Sequence, residues 1–202
     1  MRRLWLASAS PRRAQLLASI GVRAELLPPP DIDEQPEPGE RPQDYVRRMA
    51  AEKARVGWAA LAPVQRADGA VLAADTAVVL GHRILGKPRD RDDACATLAA
   101  LSGHEHQVLS AVTVITAEGE YSALSESRVR FAELSAAQIA AYVDSGEPMD
   151  KAGSYAVQGW AALFVEQLQG SYSGVVGLPL AETGRLLQQA GVPVWQRGQQ
   201  IQ

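Results

Sequence analysis

Cysteine is nearly absent, with Cys95 standing alone among 202 residues. No disulfide can form within the chain, which fits a reducing compartment. No apolar run reaches the length that crosses a bilayer as a helix. The stretch from Met1 to Ala7 is too short for a secretory signal before helix signals begin. A cytoplasmic protein with no membrane partner is expected. A basic excess is also lacking, because the formal net charge is -3. Proteins that coat DNA or RNA gain affinity by releasing counterions and carry surplus Lys and Arg. A nucleic-acid polymer is therefore not expected as a partner, whereas a small anionic ligand needs only a local cluster of cations. His82, His104 and His106 do not stand at zinc-binding spacing with a cysteine. Neither a GxSxG elbow nor a GxxxxGK[ST] phosphate loop occurs. Trp5, Trp58, Trp160 and Trp195 are scattered and read as core or surface aromatics.

What is present is a chain whose apolar content, 47%, is enough to bury a substantial core. Leu4 to Ala7 forms a short apolar strand, and Ser10-Pro11 is a helix start with an N-cap hydroxyl and a first-turn proline. Leu16, Leu17 and Ile20 make the apolar stripe of that helix, and Gly21 follows as its C-terminal glycine. A strand over Val22 to Leu27 comes next. Pro28 to Pro42, rich in Pro, Asp and Glu, is a long loop. Helices are expected over Asp44 to Leu61, Asp92 to Leu101, Ser135 to Val143 and Leu178 to Ala190. Strands are expected over Ala70 to Leu80, Gln107 to Thr116 and Tyr121 to Phe131, with short strand-like pieces between Ser145 and Val176. Interleaved helices and strands favour an α/β fold. The chain reads as one domain over 1–202, with residues 192–202 a frayed tail.

Four places break this pattern. Ser8-Ala9-Ser10-Pro11-Arg12-Arg13 joins a strand end, two hydroxyls and a helix N-terminus, a combination that favours anions. Two arginines in a first turn oppose the helix dipole, so either an anion compensates them or they are a solvated pair. Lys53 falls within the stripe made by Val46, Met49, Ala50, Ala54, Gly57 and Leu61; it must snorkel to an edge or meet an anion. Asp75 lies inside Val71 to Val79, where a carboxylate is costly to bury unless paired or ligating, although it could cap a strand end. Strict alternation places Asp75 and Thr76 on opposite faces, so the strand should end or bulge there if both line one site. Lastly, Lys87 in Gly86-Lys87-Pro88, and Lys151 in the run Asp150 to Gly159, sit beside turn residues that let backbone approach a ligand, or else are ordinary solvated loop lysines.

These breaks coincide with segments that resemble the Maf family: LASASPRRAQLL from Leu6, AEKA around Lys53, AADT at Asp75, GKP at Lys87, LSGHEHQV from Leu101, EPMDKAGSYAVQG from Glu147 and GSYSGVVGLPLAET from Gly170. They occur in family order, and the match runs from Leu4 to about Gly191. The resemblance implies a fold shared with the inosine-triphosphatase group: a twisted mixed sheet, flanking helices and a deep cleft between two lobes. It implies a nucleoside triphosphate pyrophosphatase that cuts between the α- and β-phosphates with a divalent metal, Mg²⁺ or Mn²⁺, and homodimers are common in the family. Arg12, Thr76 and Gln158 match the set carried by members that hydrolyse dTTP and UTP. Relatives that prefer 7-methyl-GTP carry a bulky aromatic, Gln and Glu there.

The roles expected from the resemblance are Asp75 as proton acceptor and metal ligand, with Glu34 (or its neighbour Asp33) as a second metal-side acid. Arg12, Arg13, Lys53 and Lys87 would neutralise the phosphates, with Ser8 and Ser10 as further donors. Gln158 offers a donor and an acceptor to a pyrimidine edge. House-cleaning of modified pyrimidine nucleotides is one use of such chemistry. A non-catalytic nucleotide-binding regulator of septum formation is the alternative class.

Overall fold

The computed structural model describes residues 2–195. In chain order the elements are β1 (Arg3–Leu6), α1 (Pro11–Ser19), β2 (Glu25–Leu26), α2 (Pro42–Ala60), α3 (Pro63–Ala67), β3 (Gly69–Leu80), β4 (Arg83–Leu85), α4 (Arg91–Leu101), β5 (Glu105–Thr116), β6 (Gly119–Phe131), α5 (Ala136–Asp144), β7 (Val165–Gln169), α6 (Tyr172–Val176) and α7 (Leu180–Gln189). Short 3₁₀ turns occupy Glu147–Asp150, Ala152–Ser154 and Trp160–Phe164. The strands form one mixed sheet in the order β2-β1-β3-β5-β6-β7, with β4 also on β3. The expected α/β fold, a mixed sheet flanked by helices, is what is found.

The local chemistry explains most boundaries. Pro11 begins α1, and Gly21 closes it with φ +71°, a left-handed conformation open to glycine. Ser135 caps α5 by accepting from the Gln138 N–H. Expectation and structure part at three places. The strand over Val22 to Leu27 shrinks to two exposed residues, because β2 is an edge strand held only by β1 and flanked by Gly21 and the prolines from Pro28. The pieces expected between Ser145 and Val176 are mostly 3₁₀ turns, since Gly146 and Gly153 take positive φ and break extended runs. In the C-terminal tail, Val192 is buried and the Trp195 N–H donates to the Ile20 carbonyl, so the backbone of residues 192–195 is anchored while the Trp195 side chain is exposed; the tail from Gln196 lies outside the described residues.

β3 is the spine of the molecule, and its neighbours change along its length. On one edge β5 pairs with it without interruption, from Ala70↔Thr116 to Val79↔Gln107. On the other edge β1 runs parallel to it only as far as Leu6↔Leu72, extended by the Ala7 N–H donating to the Leu72 carbonyl at 2.9 Å. Antiparallel β4 takes over that edge only from Val78↔Leu85. Among the described residues, residues 73–77 of β3 therefore have no strand partner on this side. Open α/β sheets place ligands where such connectivity switches.

The core divides at the same level. On one face of β3, Ala70, Leu72 and Ala74 pack with α1 and α7 through Leu17, Leu186 and Leu187, while Val78 belongs to a separate cluster with Leu98, Phe131 and Tyr155. Thr76 falls between them. On the opposite face Val71 and Ala73 pack with Trp5 and Ala54, whereas Ala77 and Val79 pack with Val46 and Ala50. Asp75 falls between those. The paired polar residues interrupt the apolar core on both faces at once, and a hydrophobic stripe cannot be carried across them.

Candidate active site

The expected bulge at Asp75 and Thr76 does not occur; the ladder with β5 stays in register through Asp75↔Ala111 and Thr76↔Ser110. The two side chains do point to opposite faces. A bare strand edge makes a bulge unnecessary, because a group entering the opening between β1 and β4 meets both faces of β3 at its rim.

On the first face α2 presents Lys53. Gly57, one turn later, explains how close α2 comes: a Cβ there would lie 2.7 Å from Ala7 Cβ and 3.0 Å from Val71. Lys53 and Asp75 are each only 8% exposed, a level that charged residues reach when paired. The Lys53 ammonium donates to Asp75 Oδ1 at 2.7 Å and lies 2.6 Å from Glu34 Oε1, so it meets anions rather than snorkelling. Of the two neighbouring acids in the Pro-rich loop, Glu34 is thus the one turned inward. Asp33 accepts from the Gln35 N–H and shapes the loop. The loop is tied to α2 by the Tyr45 hydroxyl donating to the Glu34 carbonyl at 3.0 Å and by Arg48, which grips both oxygens of Glu40 at 2.7 Å and donates to the Gln35 carbonyl.

The two carboxylates titrate in opposite directions. Burial dominates at Asp75 and pushes its pKa up; Glu34 adds to this, while Lys53 and Arg13 pull the other way without reversing it. Burial also opposes ionisation of Glu34, but the hydrogen bond and charge of Lys53, helped by Lys87 and Arg13, hold its pKa below the ordinary range. A buried carboxylate with a raised pKa has the character of a proton acceptor working nearer neutrality.

On the second face Arg13 reaches across from the first turn of α1. Its Nε donates to the Gly177 carbonyl at 2.9 Å and Nη1 donates to Ser8 Oγ at 3.1 Å. Ser8 Oγ also accepts the Ser10 N–H at 3.1 Å. Ser10 occupies the N-cap position, yet its own hydroxyl makes no cap; the Arg13 N–H donates to the Ser10 carbonyl instead, at 3.2 Å. Thr76 Oγ1 lies 2.9 Å from Ser110 Oγ, and Gly177 stands beside both Arg13 and Thr76. A Cβ at Gly177 would enter the space between them, 3.9 Å from Arg13 Nε and 4.0 Å from Thr76 Oγ1.

The remaining sequence candidates come from two loops that meet each other. The Gly153 N–H donates to the Gly86 carbonyl at 3.0 Å, joining the Lys87 loop to the run from Asp150 to Gly159. Lys87 is exposed but close enough to lower the pKa of Glu34. Arg12 lies 3.7 Å from Asp150 at the start of that run. Lys151 is engaged internally, donating to the Glu147 carbonyl at 2.9 Å and pairing with Asp150. Gln158 is exposed, on backbone fixed by Glu147, whose carboxylate accepts from the Tyr142 hydroxyl at 2.8 Å and the Trp160 N–H at 3.1 Å. The structure thus joins Glu34, Lys53 and Asp75 by direct contacts on one face of β3, and Ser8, Arg13 and Thr76 through direct contacts and the Gly177 carbonyl on the other, and brings Arg12, Lys87 and Gln158 in through loops. Sequence reasoning missed Ser110, Gly174 and Gly177. A polar residue within the apolar run Val108 to Ile115 was the one available signal for Ser110.

A separate concavity, about 650 Å³, lies on another part of the surface and is lined by residues including Arg41, Arg47, His82, Gln107 and Glu126. It lacks the buried, perturbed carboxylate and the converging cations, so the chemistry points to the β3 opening.

Several relatives of this chain share one name. A dTTP/UTP pyrophosphatase of Cupriavidus pinatubonensis is 54% identical over 192 residues, covering 93% of this chain and 96% of the relative. One from Alcanivorax borkumensis is 53% identical over 193 residues, covering 96% and 98%. One from Anaeromyxobacter dehalogenans is 54% identical over 200 residues, again covering 96% and 98%. A family model described as Maf-like protein matches residues 3–190, a span that takes in every member of the cluster from Ser8 to Gly177, and the chain belongs to that family.

Proposed function

We propose that the chain hydrolyses dTTP and UTP to the nucleoside monophosphate and pyrophosphate. The observation that carries this is Asp75: a buried carboxylate with a raised pKa, held by Lys53 at the one bare stretch of β3, with Arg13 close by. The full-length relatives named for this reaction support it. Water attacks phosphorus as its proton passes to Asp75; the α–β phosphoanhydride bond breaks, and the pyrophosphate leaves with the bonding electrons. Arg12, Arg13, Lys53 and Lys87 offset the charge of the phosphates, and Ser8 and Ser10 are further donors. Arg12, Thr76 and Gln158 select the pyrimidine.

Magnesium in phosphate sites is held by one or two carboxylates together with substrate oxygens. Asp75 and Glu34 converge on one point, the Lys53 ammonium, so this donor set fits, although no group of three or more His, Cys, Asp or Glu is gathered among the described residues. These two residues would hold a Mg²⁺ or Mn²⁺ ion, which when bound supplies positive charge to the triphosphate. Among the described residues no helix is long and apolar enough to cross a membrane.

The test is pyrophosphate release from a panel of canonical and modified triphosphates with divalent metal. Wild type should favour dTTP and UTP, and Asp75→Asn should lose turnover while keeping its fold and nucleotide binding. Full activity in that variant sinks the role given to Asp75. Nucleotide binding without pyrophosphate release by the wild type would replace the enzyme with a regulator.

A further inference from the structure

Ser110 is 1% exposed in the middle of β5, directly opposite Thr76 in the ladder, and it makes two contacts. Its Oγ lies 2.6 Å from the Gly174 carbonyl and 2.9 Å from Thr76 Oγ1. A hydroxyl has one proton to give and lone pairs to receive with, whereas a carbonyl oxygen only receives. The short contact to Gly174 therefore takes the Ser110 proton. With that proton committed, the contact between the two hydroxyls is a hydrogen bond only if Thr76 donates. The Gly177 carbonyl does not compete well: it stands 3.5 Å from Thr76 Oγ1, at the limit of hydrogen bonding, and already accepts from Arg13 at 2.9 Å.

The single proton of Thr76 thus points away from the opening, and what Thr76 offers a ligand is lone pairs alone. Ionised phosphate oxygens also only accept, so they gain nothing from this atom, although Arg13 is adjacent. The part of a nucleotide suited to it carries an N–H or O–H group. Resting on the dTTP and UTP reading above, we infer that Ser110 is a positioning residue that fixes the Thr76 hydroxyl as an acceptor for the N3–H of a uracil or thymine ring. Both bases carry that proton between two carbonyls. Cytosine carries a lone pair at N3, which would face the lone pairs of Thr76.

The experiment compares kcat/KM for UTP and CTP, and calorimetric binding of UMP and CMP, in wild type, Ser110→Ala, Thr76→Val and the double variant. Removing the Ser110 hydroxyl frees Thr76 to turn its proton toward either base. Ser110→Ala should reduce the preference for the uracil nucleotide by about tenfold in both ratios, the size expected when a mismatched buried polar contact is relieved. The effect should enter mainly through KM, because the phosphates and Asp75 are untouched. Thr76→Val should reduce the preference as far, and adding Ser110→Ala to it should change the ratio no further, since Ser110 acts only through that hydroxyl. An unchanged ratio in Ser110→Ala, or independent effects in the double variant, overturns the inference. Thermal unfolding shows whether each variant is folded. Absence of pyrophosphate release from wild type would overturn the catalytic reading alone, because the UMP/CMP binding ratio tests the Thr76 acceptor without turnover.

Discussion

Asp75 and Glu34 hold the same ammonium group at nearly the same distance, yet they come from different kinds of structure and respond to it differently. Asp75 stands on the central strand, buried beside the β3 opening, and its pKa rises. Glu34 stands on an exposed Pro-rich loop, and its pKa falls. The same cation is present in both cases, so the surroundings decide the outcome. Where water is excluded, the cost of holding charge exceeds what one shared lysine returns. Where water remains, the lysine prevails. The strand carboxylate is suited to taking a proton, and the loop carboxylate to staying ionised beside cations.

The difference can be broken most completely at the strand. Asp75→Asn should lower kcat by roughly 10²- to 10⁴-fold, the usual contribution of a positioned base, whereas Glu34→Gln should cost far less and act partly through KM; steady-state kinetics on UTP separates them. Next in size is the shared partner. Lys53→Met leaves two acids without their cation, one of them buried, and should destabilise the fold by about 3 kcal/mol, read from denaturant unfolding at neutral pH.

The pH profile sharpens the comparison further. With Asp75 as the proposed proton acceptor, activity should fall as pH drops through a pKa above the ordinary aspartate value. Glu34 is a like charge that helps raise that pKa. Glu34→Gln removes it, and the acid limb of kcat/KM should move to lower pH; a move to higher pH contradicts the coupling. Smallest is Tyr45→Phe, which removes the hydroxyl donating to the Glu34 carbonyl. About 1 kcal/mol or less is expected, seen as a modest rise in KM with kcat nearly unchanged.

Much of this was legible in the sequence because it is written in local chemistry. Pro11 and Gly21 bracket α1, alternation and apolar runs mark β3, β5 and β6, and Lys53 stands out because a lysine interrupts an apolar helical stripe. Asp75 stands out in the same way within its strand. The opening in β3 was not legible, because it depends on where β1 stops and where three-residue β4 begins, and these are pairing decisions made across the chain. Ser110 was hidden because a serine within a strand is unremarkable until its partner across the ladder is known. The anticipated bulge at Asp75 and Thr76 rested on the premise that one site has one face. A missing neighbour strand removes that premise and leaves the ladder regular.

The bare stretch of β3 has a bearing on solubility. Unsatisfied strand edges are where foreign chains attach, and proteins usually blunt them with charge, proline or a covering element. Here the unpaired segment is limited to residues 73–77 and closed at both ends by strands of opposite direction, β1 parallel and β4 antiparallel. An invading strand would find no room to extend in either sense. Small molecules can use the free edge, while the fold keeps it too short to seed aggregation.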